Sequence, residues 1–147
     1  MNDVLERFYA ALARRDWEAM GALYHADARF SDPVFPDLDA AGVRALWRML
    51  LSSGTDLRVT YRVRDERTCA WEAVYTFRAT GRPVHNRIVS RFTFRDGLIL
   101  RQRDHFHFWR WARQALGPVG LWLGWNPLLR HRVRTTAATV LARSRAR

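Results

Sequence analysis

At residue 57 the apolar period of this chain changes from helical to two. Leu57, Val59, Tyr61 and Val63 alternate with Arg58, Thr60, Arg62 and Arg64, a spacing that puts every second side chain on one face of a strand. The downstream half is thereby committed to a sheet with one buried face and one in water. Asp65-Glu66-Arg67 turns the chain into a second strand of about Cys69 to Ala79, on which Trp71, Ala73, Tyr75 and Phe77 share a face. Thr80-Gly81-Arg82-Pro83 leads into a third strand, Val84 to Arg95. Asp96-Gly97 is a short hairpin signal, and a fourth strand, Leu98 to about Trp109, completes an antiparallel meander.

Upstream of the switch the spacing is helical. Asp3 and Glu6 open a first helix carrying Val4, Leu5, Phe8, Tyr9 and Leu12. Asp16 stands as an N-cap ahead of a second, with Trp17, Met20, Leu23 and Tyr24 on one face. Ala28 to Pro33 is a brief extended piece ended by proline, which disfavours a helical conformation in the residue before it, and Phe35-Pro36 continues as loop. Beyond Gly42, the residues Val43, Leu46, Trp47, Leu50 and Leu51 mark a third helix that ends near Ser52-Ser53-Gly54.

The pattern predicts one α+β domain over about residues 1–110: a cone-shaped, curved antiparallel sheet wrapped around three N-terminal helices. A basic amphipathic helical extension over 111–147 is expected to pack on or near it. The length of 147 residues suits one core without staples. The single Cys69 excludes an internal disulfide and a cysteine pair for zinc, and it suits a reducing cytoplasm. The first residues are amphipathic and charged, unlike a secretory signal, and Ala115 to Leu129 is too short and interrupted to span a bilayer.

Charge separates the two parts. All 25 basic residues are arginine; residues 1–109 carry a net +3 and residues 110–147 a net +8, with no acid. In the extension Leu128, Leu129, Val133, Ala137, Val140 and Leu141 form an apolar stripe opposite Arg130, Arg132, Arg134 and Arg143. Three roles suit such a segment: a helix folded over the domain with a solvated arginine face, a helix lying on a membrane surface with Trp109, Trp111, Trp122 and Trp125 at the interface, or a phosphate-binding nucleic-acid contact. The last lacks any recognisable reading motif.

The element order, together with Arg7-Phe8-Tyr9, Arg15-Asp16-Trp17-Glu18-Ala19-Met20, Tyr24-His25-Ala26-Asp27-Ala28, Phe30-Ser31-Asp32-Pro33, Gly81-Arg82, the Phe92 to Gly97 hairpin and Asp104, resembles the nuclear transport factor 2-like superfamily. Within it the chain resembles the ketosteroid isomerase and SnoaL-like branch, over about residues 3–110. The resemblance implies that Asp32 matches the isomerases' proton-shuttling aspartate and that Asp104 matches the acid/base aspartate of SnoaL-like cyclases. Phe8 and Ser90 stand where the isomerases carry a tyrosine and an aspartate that stabilise the dienolate. It also implies pairing through the convex sheet face, here rich in arginine, so a homodimer would have to manage like charges across its axis.

With the concave face fixed by the resemblance, alternation assigns the side chains. Asn86, Ile88, Ser90 and Phe92 point inward on the third strand, and Gln102, Asp104, Phe106 and Phe108 on the fourth, while Arg87, Arg91, Arg101, Arg103, His105 and His107 point outward. An apolar pocket lined by Phe8, Trp47, Trp71, Phe77, Ser90, Phe92 and Phe106, with Asp32, Asn86, Tyr75 and Asp104 as its polar groups, would suit a small hydrophobic molecule. Each signal has a plainer explanation: Asp32 before proline suits a turn, Asp104 could pair with an arginine, and His105-x-His107 lacks a third ligand for a metal. Two functions follow from different classes. One is a cofactor-independent acid/base enzyme of isomerase, cyclase, dehydratase or epoxide hydrolase type acting on a carbonyl or epoxide. Asp32 would be its base, directly or through a water oriented by Asn86, Asp104 its acid and Tyr75 a candidate donor. The other is a non-catalytic domain that binds a hydrophobic ligand or a membrane surface.

Overall fold

The computed structural model describes residues 3–52, 55–118 and 127–145. Their elements run α1 (Val4–Ala13), α2 (Trp17–Gly21), β1 (Tyr24–Ser31), β2 (Leu38–Asp39), α3 (Ala40–Leu51), β3 (Arg58–Val63), β4 (Thr68–Phe77), β5 (Arg82–Arg95), β6 (Leu98–His105), α4 (Phe108–Leu116) and α5 (Pro127–Arg145). The six strands form one curved, unclosed sheet in the order β2-β1-β6-β5-β4-β3. The α+β class and the cone are those expected. The meander β3 to β6 is antiparallel throughout, whereas β1 adds to β6 in parallel.

Local chemistry explains the ends of the elements. The Asp16 side chain accepts from the Ala19 amide at 3.0 Å, and Asp39 accepts from Gly42 at 2.7 Å; each satisfies a donor that the first turn of α2 or α3 leaves free. Arg15, at φ 62°, makes the sharp bend between α1 and α2, and its guanidinium holds the Leu57 carbonyl at 2.6 and 3.1 Å where β3 begins. Asp96 and Gly97, at φ 53° and 74°, make the expected tight hairpin.

Three expectations are corrected. The second helix stops at Gly21, where Arg44 of α3 takes the Gly21 carbonyl at 3.0 Å, and Tyr24 opens an eight-residue strand instead of closing a helical face. A two-residue strand, β2, interrupts the loop after Pro36. The fourth meander strand ends at His105, and Phe108 belongs to a helix: His107 caps α4, its Nδ1 accepting from the Arg110 amide at 3.4 Å.

The helices α1 and α3 and the inward sheet face enclose the core, with Phe8, Tyr9, Leu12, Met20, Val43, Leu46, Trp47, Ile88, Phe92 and Ile99 buried in it. α4 lies against β5. Its Gln114 side chain bonds both backbone groups of His85, its Ala115 carbonyl accepts from Thr80 at 2.5 Å, and Trp111 donates to the Tyr75 hydroxyl at 2.8 Å. Trp111 is therefore a core residue and cannot serve a membrane interface.

α5 runs beside α3 and the loop after β1. Arg134 donates to the Pro33 carbonyl at 2.9 Å, and the Arg130 guanidinium sits 4.9 Å from the Phe108 ring centre. The stripe expected on this helix is only partly used: Leu141 is buried and Val133 and Ala137 pack on the core, but Leu128 and Val140 face water. Ser53, Gly54, Trp122 and Trp125, named above, lie outside the described residues. No described helix is long and apolar enough to cross a membrane.

Candidate active site

The parallel ladder brings the two aspartates together. Arg29, Phe30 and Ser31 of β1 stand opposite Arg101, Gln102 and Arg103 of β6, so the next rung sets Asp32 beside Asp104. Side chains alternate along both strands; Phe30 and Gln102 point into the core, and the next pair to do so is Asp32 and Asp104. Both border a cleft of about 370 Å³ with Ser31, Pro33, Arg91, Arg103 and His105.

The two carboxylates are held differently. Asp32 follows the last residue of β1, and its Oδ1 accepts from the Val34 and Phe35 amides at 2.7 and 2.6 Å while its own amide donates to the Phe35 carbonyl at 2.8 Å. The expected turn chemistry is present, and it fixes the half-buried carboxyl at the cleft. Asp104 is buried, and its Oδ1 accepts from the Ser90 hydroxyl at 2.5 Å and from Gln102 Nε2 at 3.0 Å. No arginine pairs with it among the described residues.

Burial dominates the acidity of both groups, because a carboxylate removed from water loses hydration that neighbours only partly replace. It pushes Asp32 up to about 6 against the pull of the two amides and of Arg134. It pushes Asp104 up to about 7 against its two side-chain donors, with the negative charge of Asp32 adding to the rise. The Tyr75 phenol is likewise raised to about 12, by burial first and by the charge of Asp32 as well. Its oxygen accepts from Trp111, which pulls the value down without offsetting burial, so the phenol is neutral at pH 7.

Gln102 and Tyr24 were not foreseen as site residues. The Tyr24 hydroxyl donates to Gln102 Oε1 at 2.5 Å and accepts from Trp47 Nε1 at 2.9 Å, while Trp71 Nε1 donates to Ser90 Oγ at 2.7 Å. A buried network therefore joins β1, α3, β4, β5 and β6 at Asp104. The signal for Gln102 was present in the alternation, as a polar residue on an inward face; Tyr24 gave none.

The expected substrate-binding residues lie elsewhere, and none of the seven borders the cleft between the aspartates. Phe8 is fully buried, edge-on to Tyr9, Tyr24, Trp47 and Phe92. Trp47 and Phe92 belong to that cluster; Phe77 and Phe106 contact Trp111, and Trp71 and Ser90 serve the network. These aromatic rings meet each other because the core is filled by them. Asn86 is buried in the row of Ala73, four residues along β5 from Ser90, or about 13 Å of strand. It does not border the cleft that Asp32 and Asp104 share. Among the described residues no group of three or more histidines, cysteines or carboxylates could hold a metal.

A curved sheet over three helices, with paired carboxyl groups where β1 leaves β6, defines a cone fold of the nuclear transport factor 2-like superfamily. Residues 5–102 match the SnoaL-like domain, and the chain belongs to that family. Among solved structures it is similar to a Silicibacter sp. TM1040 protein assigned by name to the polyketide cyclases, at 19% identity and a TM-score of 0.64, covering 78% of this chain and 93% of that one. It is similar to a Mycobacterium tuberculosis LEH-like epoxide hydrolase, at 19% identity and 0.60, covering 83% and 92%. A Catenulispora acidiphila protein with a ketosteroid isomerase-like fold, solved with trimethylamine, is 18% identical at 0.59, covering 79% and 94%. At these identities the likeness establishes the fold. No curated protein matches the sequence at a significant level.

Proposed function

We propose that this SnoaL-like protein is a cofactor-independent acid/base enzyme acting on a small hydrophobic carbonyl or epoxide compound. The observation that carries the reading is the Asp32 and Asp104 pair, which share a cleft where β1 leaves β6 and are both raised toward neutral pH. Asp32, less raised and stabilised by two amides, is the base. It takes a proton from the carbon beside a carbonyl, or from a water that opens an epoxide. Asp104, the more buried partner, is the acid and gives its proton to the oxygen on which negative charge develops. The neighbours named for cyclisation, isomerisation and epoxide hydrolysis support a reaction of this class.

Turnover on panels of epoxides and enones tests the reading. Asp32→Asn and Asp104→Asn should each lower turnover by about 10²–10⁴-fold. Because the pair works as base and acid, the wild-type rate should be bell-shaped in pH, rising near 6 as Asp32 ionises and falling near 7 as Asp104 does, with both limbs belonging to the coupled pair. Turnover indifferent to both substitutions would remove the catalytic role.

A second reading, a domain that binds a hydrophobic ligand without transforming it, is favoured by Phe8 and Ser90 standing where isomerases carry their oxyanion donors. Phe8 is packed into the core and offers no hydrogen bond. Saturable binding of a panel compound without product would select this reading.

A further inference from the structure

Two tryptophans stand at the outer ends of the network around Asp104, and an indole N–H can only donate. That one-way chemistry fixes the direction of every bond that follows. Trp47 Nε1 donates to the Tyr24 oxygen, so the Tyr24 proton turns to Gln102 Oε1; the Gln102 amide is then oriented with its NH₂ toward Asp104 Oδ1. In the flipped amide the Tyr24 proton would have no acceptor and two acceptors would face each other. On the other side Trp71 Nε1 donates to Ser90 Oγ, so the Ser90 proton goes to the same Oδ1.

We propose that Trp47 and Trp71 together decide which oxygen of Asp104 carries the carboxyl proton, acting through Tyr24 and Gln102 on one side and Ser90 on the other. Oδ1 meets two donors, which occupy both its lone pairs. It is an acceptor whether Asp104 is charged or neutral, and Oδ2 is the oxygen that binds and releases the proton. Tyr24, Gln102, Ser90 and the two tryptophans are positioning residues. The catalytic meaning rests on the acid role proposed for Asp104; the orientation itself does not.

The titratable groups facing Asp104 are Asp32 after β1, Tyr9 of α1, Tyr24 of β1 and Cys69 of β4. Burial raises the two phenols well above their ordinary value and the thiol to about 12, so these three are neutral wherever Asp104 titrates. Arg91, Arg103 and His105 border the same cleft as Asp104 and are exposed to water. The charge that raises Asp104 is that of Asp32.

Carboxyl carbon NMR of the full chain tests the proposal by the titration midpoint of Asp104, without any substrate. Ser90→Ala and Gln102→Leu should each raise the midpoint by about one pH unit, the size of one charge-assisted hydrogen bond. Ser90→Thr, which keeps the hydroxyl, should leave it in place. Trp71→Phe and Tyr24→Phe touch no atom of the carboxylate, and both should still raise the midpoint by a few tenths of a pH unit to about one, because each frees a donor to turn away. If both leave it unmoved, the proposal is overturned; if Tyr24→Phe does not fold, Trp71→Phe decides by the same criterion. Raised midpoints in a protein that turns over nothing on the panel would keep this inference and remove the enzymatic reading. Unmoved midpoints in an active enzyme would do the reverse.

Discussion

The two aspartates are an instructive contrast, since one is held by its own loop and the other by the whole sheet. Among the described residues, the hydrogen bonds to the Asp32 carboxylate come from backbone within three residues of it. Asp104 is held by side chains from β5 and β6, themselves set by α3, β1 and β4. A local turn can place a carboxylate at a cleft, but a neutral carboxylic acid near pH 7 needs an apolar interior and donors that reach it from distant segments.

The strongest break in this contrast would come from the core beneath Asp104. Phe8→Ala removes the ring against which Tyr24 and Trp47 pack. Urea unfolding should show a loss of about 3–5 kcal/mol, the range for a buried aromatic truncated to alanine. In the folded variant the Asp32 titration should move less than that of Asp104, since its hydrogen bonds come from its own loop.

The next effect is a gain. Both groups have folded-state values above those of the unfolded chain, so the folded protein holds protons that the unfolded chain has already released. Stability is therefore complete below about pH 4 and declines as pH rises through about 6 for Asp32 and 7 for Asp104. Asp104→Asn keeps an acceptor oxygen and mimics the neutral acid. It should stabilise the protein at pH 8 by up to about 4 kcal/mol, since each pH unit between the folded and unfolded midpoints is worth about 1.4 kcal/mol, and have little effect at pH 4. Asp32→Asn should gain less. Equal gains, or gains independent of pH, would show that the two sites are not distinct in the way described.

A smaller effect sharpens the comparison from the tail. Arg134→Met takes away the cation near Asp32 and the bond to the Pro33 carbonyl. The Asp32 midpoint should rise by less than about one pH unit, and carboxyl NMR should show a smaller movement at Asp104, which feels the change through the charge of Asp32.

What the chain revealed in advance follows the same division. Alternation against Arg103 and His105 was enough to turn Asp104 inward, and the period of two at Leu57 to Val63 was enough for the meander. The end of the fourth strand was misplaced because Phe106 and Phe108 satisfy a strand period and an amphipathic helix alike, and a histidine N-cap is a faint stop signal. Tyr24 misled in a similar way, since its spacing from Met20 fits a helix that Arg44, a residue of another helix, helps to end. Its bond to Gln102 spans 78 residues, and no local pattern encodes such a pairing. The apolar lining expected around the aspartates failed because alternation tells which face a ring occupies, and leaves open whether that face is filled.

Arg134 reaches Pro33 across 101 residues, from a helix well past the end of the family match at residue 102. Cutting the chain at the end of that match would remove Asp104 and α4 outright, and removing α5 alone would leave both aspartates but take from Asp32 the cation that lowers its pKa. Comparative kinetics across relatives that lack such a trailing helix carry the same hazard: identical aspartates, different ionisation, and rates that diverge for reasons absent from any pairwise comparison of the shared domain.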